Sequence, residues 1–283
     1  MPIRKPIVAE IANKVYCINE FGLDAMFLIV GAERALLVDT GTGLFKLPAL
    51  IKRLTDKPCD VALTHGHVDH AGGIGWFQRI YLHPEDFAAA AGITPESRRG
   101  YAAGLLGMAD GLFDRSADDV VVFENIPEML PLTEGHVFDL GGRRVRVYET
   151  PGHTPGGLSF LIEDARILLS GDACNPNTLM FPFRPDGSRA PHASIEGLLE
   201  TARKIESLSP LYDRNYNGHV GFGPIIEFLP MAESLTREVI ALCEALLAGQ
   251  AGWEPNPGGS FGLSAIARFP HGQIQFIPEF MRE

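Results

Sequence analysis

Short apolar runs, broken by glycine, asparagine and aspartate, dominate the first third of the chain. VYCI (15–18), MFLIV (26–30) and ALLVD (35–39) read as a meander of strands, because such β-branched and aromatic runs between turn formers suit a buried pleated surface. After Gly41-Thr42-Gly43 the period changes. LFKLPALIKRL (44–54) places its apolar residues at helical spacing, with the proline in the first turn, where a missing N–H is tolerated. DVALTHGH (60–67) reads as a buried strand running into a loop, and RIYLHP (79–84) as a further short strand. Trp76 and Phe77 fall at the start of an expected helix and read as core residues.

From Glu85 to Asp119 the strand period is lost. This stretch is rich in alanine and glycine, contains RRGYAAGLLGMADGLF, and reads as a helical insertion. Strands are expected again at VVVFE (120–124), HVFDL (136–140), RVRVYE (144–149), LSFLI (158–162) and RILLS (166–170). SIEGLLETARKIESL and MAESLTREVIALCEALLAG are amphipathic helix patterns, the second with Gly249 as its C-terminal cap. The tail from Pro255 ends in a short strand. Strands followed by helix occur twice, with no Pro-, Gly- or Ser-rich linker between the halves. The expectation is a single α/β (α+β) domain over 1–283, built from two similar halves as two sheets packed together with helices outside. The insertion at 85–119 and a loop-like insertion at 175–192 are candidate walls of a substrate pocket. Within the latter, Met180, Phe181 and Phe183 offer an apolar lining and Arg184 a cation.

With 283 residues, 46% of them hydrophobic and 21% charged, the chain has ample material for a core and is neither disordered nor collagen-like. A net charge of -11 argues against a nucleic-acid partner, whose phosphates call for a basic patch. The N-terminal stretch lacks the apolar run of a signal peptide, and no uncharged apolar stretch approaches the ~18 residues of a membrane span. Cys17, Cys59, Cys174 and Cys243 form no CxxC pair, so four reduced thiols in a cytoplasmic protein are expected. Apolar loops leave a homodimer open.

Of the nine histidines, three sit within six residues in THGHVDHAGG (64–73). At a strand-to-loop junction, residues two apart face the same side, so His65 and His67 can grip one metal ion. Asp69 and His70, past the bend, are free to face a second. Imidazole and carboxylate donors without thiolate suit Zn²⁺ and tolerate Fe or Mn. Three further candidates lie where strand-like runs break at glycine: His153 in TPGHTPGG, Asp172 in LLSGDAC and His219 in YNGHVGFG. Each alone reads as a turn or surface residue; together they complete two coordination shells. Cys174 reads as a small buried residue, and His83, His136, His192 and His271 as bystanders without partners at ligand spacing.

HxHxDH followed by GHTPGG, SGDA and a late GH resembles the metallo-β-lactamase fold superfamily of hydrolases, over the span from Asp39-Thr40-Gly41 to His219. The resemblance implies the αββα sandwich with metals at its loop edge. It implies His65, His67 and His153 on one ion, Asp69, His70 and His219 on the other, and Asp172 bridging, with Asp39 behind the histidines to fix their tautomers. It further implies hydrolysis by a water whose pKa two divalent ions lower to about 7, giving a bridging hydroxide. Asp69 then has a second, catalytic duty, orienting the nucleophile.

Branches of the superfamily differ in ways this sequence can be held against. Zinc β-lactamases generally lack an aspartate at the position of Asp172, and flavodiiron oxygen reductases carry glutamate where this chain has His67. The RNA- and DNA-processing branches carry long arms. Glyoxalase II has the same seven ligands, but holds glutathione with basic side chains in its C-terminal part; the 64 residues after His219 here contain only Arg237, Arg268 and Arg282. Lactonases share the ligands at similar length. The expectation is a binuclear metal hydrolase of a small-molecule ester, thioester or lactone. Phosphodiester or β-lactam hydrolysis, and a non-hydrolytic di-iron or metal-binding role, are the alternatives.

Overall fold

In a computed structural model of the chain, residues 2–282 are described except 110, 125, 185, 224–226 and 260–261. Asp110 of the expected helical insertion and Pro185 of the expected loop insertion thus lie outside the described residues. The first apolar runs pair antiparallel in chain order as β1 (Ile7–Ala12), β2 (Val15–Asn19), β3 (Ala25–Val30) and β4 (Ala35–Val38). Helix α1 (Leu47–Leu54) then carries the chain across to β5 (Cys59–Ala62), which pairs parallel with β4. After the short α2 (Val68–Ala71), β6 (Arg79–Leu82) adds in parallel; α3 (Phe87–Ala91) and α4 (Pro95–Met108) precede β7 (Glu128–Pro131), which completes a seven-stranded sheet.

A second sheet is formed by β8 (Val137–Asp139), β9 (Arg144–Glu149), β10 (Leu158–Ile162) and β11 (Ile167–Gly171). The chain passes through β12 (Asn177–Leu179) and α5 (Ile195–Ser207) before β13 (Arg214–Asn217) pairs parallel to β11. Helix α6 (Leu235–Leu247) follows, with Gly249 at φ +68 just beyond its end, where only a residue tolerant of the left-handed region fits well.

Side chains alternate between faces along each strand, and here both faces are covered. Phe27, Leu36 and Val38 pack against Val145, Val147, Phe160 and Leu169 between the two sheets. Leu28, Leu37, Val61 and Ile80 face the other way, onto Leu47 and Ile51 of α1. On the far side Leu161 and Leu168 meet Leu198 and Ile205 of α5 and Val239 of α6. Double-sided burial is why MFLIV and ALLV are continuously apolar rather than alternating. The layer order is that of the expected αββα sandwich. No helix among the described residues is long and apolar enough to cross a membrane.

The details depart from the sequence expectation in several places, and β7, β12 and β13 are strands that the pattern of apolar runs does not predict. VVVFE is not a strand: Val121 N–H bonds to Gly43 O, its carbonyl takes Arg98, and Phe123 packs on Trp76, so loop and side chain satisfy what a ladder would. The tail yields three strands, not one: β14 (Glu254–Pro255), β15 (Ala265–Phe269) and β16 (Gly272–Phe276) join β12 in a third sheet beside α5 and α6. Trp76 ends a 3-10 turn, Ile74–Trp76, instead of starting a helix, although Trp76 and Phe77 do pack on the core.

Candidate metal centre

Four loops converge on one edge of the sandwich, each leaving the C-terminal end of a strand: β5 leads to His65 and His67, β9 to His153, β11 to Asp172 and β13 to His219. The parallel register Gly171↔Asn217 sets Asp172 and His219 side by side. A hydrogen bond from Leu158 N–H to Thr64 O, 2.8 Å, joins the two sheets at the same point. Helix α2 is a single turn in which the His67 carbonyl accepts from His70 and Ala71 N–H, and it turns Asp69 and His70 back toward the histidines before them.

All seven sequence-derived candidates come together. Three donor groups form, His65/His67/His153, Asp69/His70/His219 and His65/His70/Asp172, each with its ligand atoms within 4.8 Å of one another. His67 Nδ1 lies 2.9 Å from His153 Nε2. Asp69 Oδ2 is 3.5 Å from His70 Nε2 and 3.6 Å from His219 Nε2. Asp172 reaches both sides: Oδ2 is 3.6 Å from His153 Nε2 and 3.0 Å from His219 Nε2, and Oδ1 is 3.8 Å from His70 Nε2.

Four of the five imidazoles are held from behind through Nδ1. The partners are Thr64 Oγ1 for His65 (3.1 Å), Asp39 Oδ2 for His70 (2.9 Å), Leu179 O for His153 (2.7 Å) and Leu23 O for His219 (3.1 Å), so each presents Nε2 to the centre. His67 is the exception and turns Nδ1 inward. Asp39 also accepts from the Thr64 N–H at 2.7 Å, which ties the β4 and β5 loops together behind the site.

The donor set fits a metal. His65 Nε2, His70 Nε2 and Asp172 Oδ1 are buried without a hydrogen-bond partner, a state that costs free energy unless something else satisfies it. Burial pushes His65, His67 and His153 down, His153 to about 4, so these rings are neutral and have lone pairs to give. Burial acts the same way on His70 and His219, but the carboxylates around them win and raise both: Asp69 and Asp39 foremost for His70, Asp172 for His219. Burial would raise Asp69 and Asp172; the facing His70 and His219 hold both far below the usual carboxylate range. The neutral rings of His65, His67 and His153, the ionised Asp69 and Asp172 and the unpartnered inward atoms are thus a set of electron-pair donors that a cation would satisfy.

Two residues at the centre have no signal in the sequence pattern. Tyr101, the one aromatic side chain of α4, donates its hydroxyl to Asp69 Oδ2 at 2.7 Å. Burial and the Asp69 charge raise this phenol well above its ordinary value, so it stays a donor. Phe222 centres its ring 5.5 Å from that of His219, nearly perpendicular to it, and is 44% exposed. Phe181, an expected wall, lies 5.3 Å from both His67 and His153. Its neighbours do not join it: Met180 is buried against α5 and α6, Phe183 packs on Phe280, and Arg184 pairs with Glu85. Cys174 is buried in the α5–α6 cluster. His83, His136 and His271 contact Glu149, Phe138 and Glu238 instead of the donors, and His192 lies 4.0 Å from Glu200.

A sandwich with histidine and aspartate donors gathered on one loop edge has the form of a metal-dependent hydrolase. The metallo-beta-lactamase superfamily pattern matches residues 22–212, and the chain belongs to that family. Among curated proteins it is similar to the acyl-coenzyme A thioesterase MBLAC2 of Bos taurus, 30% identical over 55% of this chain and 60% of that one. It is similar also to the atrochrysone carboxyl ACP thioesterase of Aspergillus fumigatus, 26% identical over 73% of this chain and 52% of the relative. The chain thus spans little more than half the length of these relatives. Among solved structures, a metallo-beta-lactamase family protein from Thermus thermophilus superposes with TM-score 0.52 at 28% identity, over 82% of this chain and 79% of that one.

Proposed function

We propose that the chain hydrolyses a small-molecule thioester with an apolar acyl group, using two divalent ions, zinc foremost, in the centre described above. The observation that carries this reading is Asp172, whose two oxygens face different histidines while three inward atoms of the centre lack partners. His65, His67 and His153 would hold one ion, Asp69, His70 and His219 the other, and Asp172 both. Ions so held supply an ionised water near neutral pH and polarise the substrate carbonyl.

The rest falls to the side chains. Asp69 accepts a hydrogen bond from the attacking water and so aims it, and Tyr101 holds the Asp69 carboxylate in place. Phe181 lies against His67 and His153, Phe222 against His219, and both offer apolar surface for the acyl chain. Tyr101 is engaged with Asp69 and holds its proton, and we assign no general acid to the centre. Without one, a leaving thiol of pKa about 8.5 departs as thiolate more readily than an alcohol departs as alkoxide. This, with the two thioesterase relatives, favours thioesters over alkyl esters and lactones. The four unpaired thiols fit a reducing cytoplasm.

The test is a panel of acyl thioesters of graded chain length beside alkyl esters, lactones, phosphodiesters and β-lactams, run on zinc-loaded protein. Thioesters should give the highest kcat/KM. Turnover of another class with thioesters left intact overturns the assignment.

A further inference from the structure

Asp86 lies outside the ligand motifs, at the start of the segment that leads into α3 and α4, and is buried. Its carboxylate reaches two of the four loops. Oδ2 accepts from Gly66 N–H at 2.9 Å and from the Thr154 hydroxyl at 2.7 Å, and Oδ1 accepts from Gly156 N–H at 2.9 Å. Gly66 separates His65 from His67, and Thr154 follows His153. One carboxylate therefore links the loops that carry all three histidines of one donor group, across the gap between the two sheets.

A local role does not account for it. Asp86 occupies the N-cap position of α3 yet makes no side-chain cap bond there. The loops close tightly on it instead. A Cβ on Gly66 would sit 2.8 Å from the Asp86 carbonyl oxygen, and a Cβ on Gly156 2.8 Å from Asp86 Oδ1. Both glycines are thus needed for the approach.

We propose that Asp86 is a positioning residue that sets the spacing between the His65–His67 loop and the His153 loop, and thereby the affinity for the ion those three histidines hold. The inference rests on the metal reading given above. Ligand distances tolerate only about 0.2 Å of error, so a site split between two sheets holds its ion only as well as the loops hold their separation. Partners one step behind metal ligands are typically worth 10–100-fold in metal affinity.

The experiment strips zinc-loaded wild type, Asp86→Asn and Thr154→Val stepwise with a competing chelator, and records Tm of each protein loaded and stripped. The amide of Asp86→Asn keeps the volume but turns an NH₂ toward N–H donors; Thr154→Val removes one of the three bonds. The expected result is two ions in wild type, one of which is held about 10–100-fold more weakly in Asp86→Asn, with the other unchanged and Thr154→Val in between. Cobalt in place of zinc should show an altered absorption spectrum at the weakened step alone. Wild-type affinities in Asp86→Asn, whatever its Tm, overturn the proposal, as does equal weakening of both ions. Should Asp86→Asn fail to fold, unchanged affinities in Thr154→Val overturn it. A wild type that takes up no zinc overturns the metal reading beneath, a result distinct from two ions held equally well by wild type and variant.

Discussion

Adding one methyl group at Gly218 should disable the centre. A Cβ there would stand 2.3 Å from His70 Cε1 and 2.9 Å from Asp172 Oδ1. One side or the other must retreat by about 1 Å to regain the 3.4 Å of ordinary contact. The backbone cannot yield easily, since Gly218 N–H bonds to Gly171 O at 3.1 Å and its carbonyl accepts from Ala25 N–H at 2.8 Å. Nor can His70, which is fully buried and tied to Asp39. A shift of about 1 Å is several times the tolerance of a metal–ligand bond, and misplacement of that size costs about 100-fold in rate. Gly218→Ala should therefore lose ions held by His70 and Asp172 and at least about 100-fold in kcat/KM. Metal content per chain and thioester turnover measure both. Gly104→Ala is the control: it lies within α4 with nothing within 4 Å of the new Cβ, and should gain up to about 1 kcal/mol of stability with activity unchanged. A Gly218→Ala protein with two ions and full turnover would refute the geometry.

Tyr101→Phe keeps the ring and removes a hydrogen bond to a buried carboxylate worth about 1.5–3 kcal/mol, so kcat should drop about 10–100-fold with KM little changed; an unaltered kcat removes Tyr101 from the account. Phe222→Ala truncates an exposed ring and should raise KM for long acyl chains on the order of tenfold while sparing the shortest, a pattern read directly from a chain-length series. Burial raises all four thiols, Cys59 and Cys174 to about 12 and Cys17 and Cys243 further, so an aromatic disulfide reagent near pH 8 should label the native protein only slowly and all four after denaturation. Fast labelling of a native thiol contradicts the packing around it.

The sequence was informative where chemistry is local and poor where it depends on distant partners. His65, His67, Asp69 and His70 are legible because their spacing alone brings them to one junction. His153, Asp172 and His219 are legible because each follows a strand-like run that breaks at glycine. Tyr101 and Asp86 are not. Their meaning lies in bonds to Asp69, Gly66 and Thr154, residues 20 to 68 positions away, and a tyrosine in a helix or an aspartate before one is unremarkable alone. The same division holds for the fold. The buried runs of β3, β4, β10 and β11 announce themselves, because both of their faces are covered. VVVFE has equal strand character, yet its neighbours satisfy its backbone from the side. The further strands of the weakly apolar tail exist through pairing, β15 with β14 and β16, and β16 with β12, which the local pattern does not show.

The decisive measurement is thioester hydrolysis by His67→Ala beside wild type, with zinc content and Tm recorded on the same samples. His67 is half-buried at the mouth of the centre and stands 2.9 Å from His153, so its loss should remove a ligand without opening the core. His67→Ala should be a folded protein with Tm near that of stripped wild type, less than two ions per chain, and no turnover above background. Full hydrolysis in His67→Ala, or in wild type stripped of metal, would contradict metal-dependent hydrolysis at this centre.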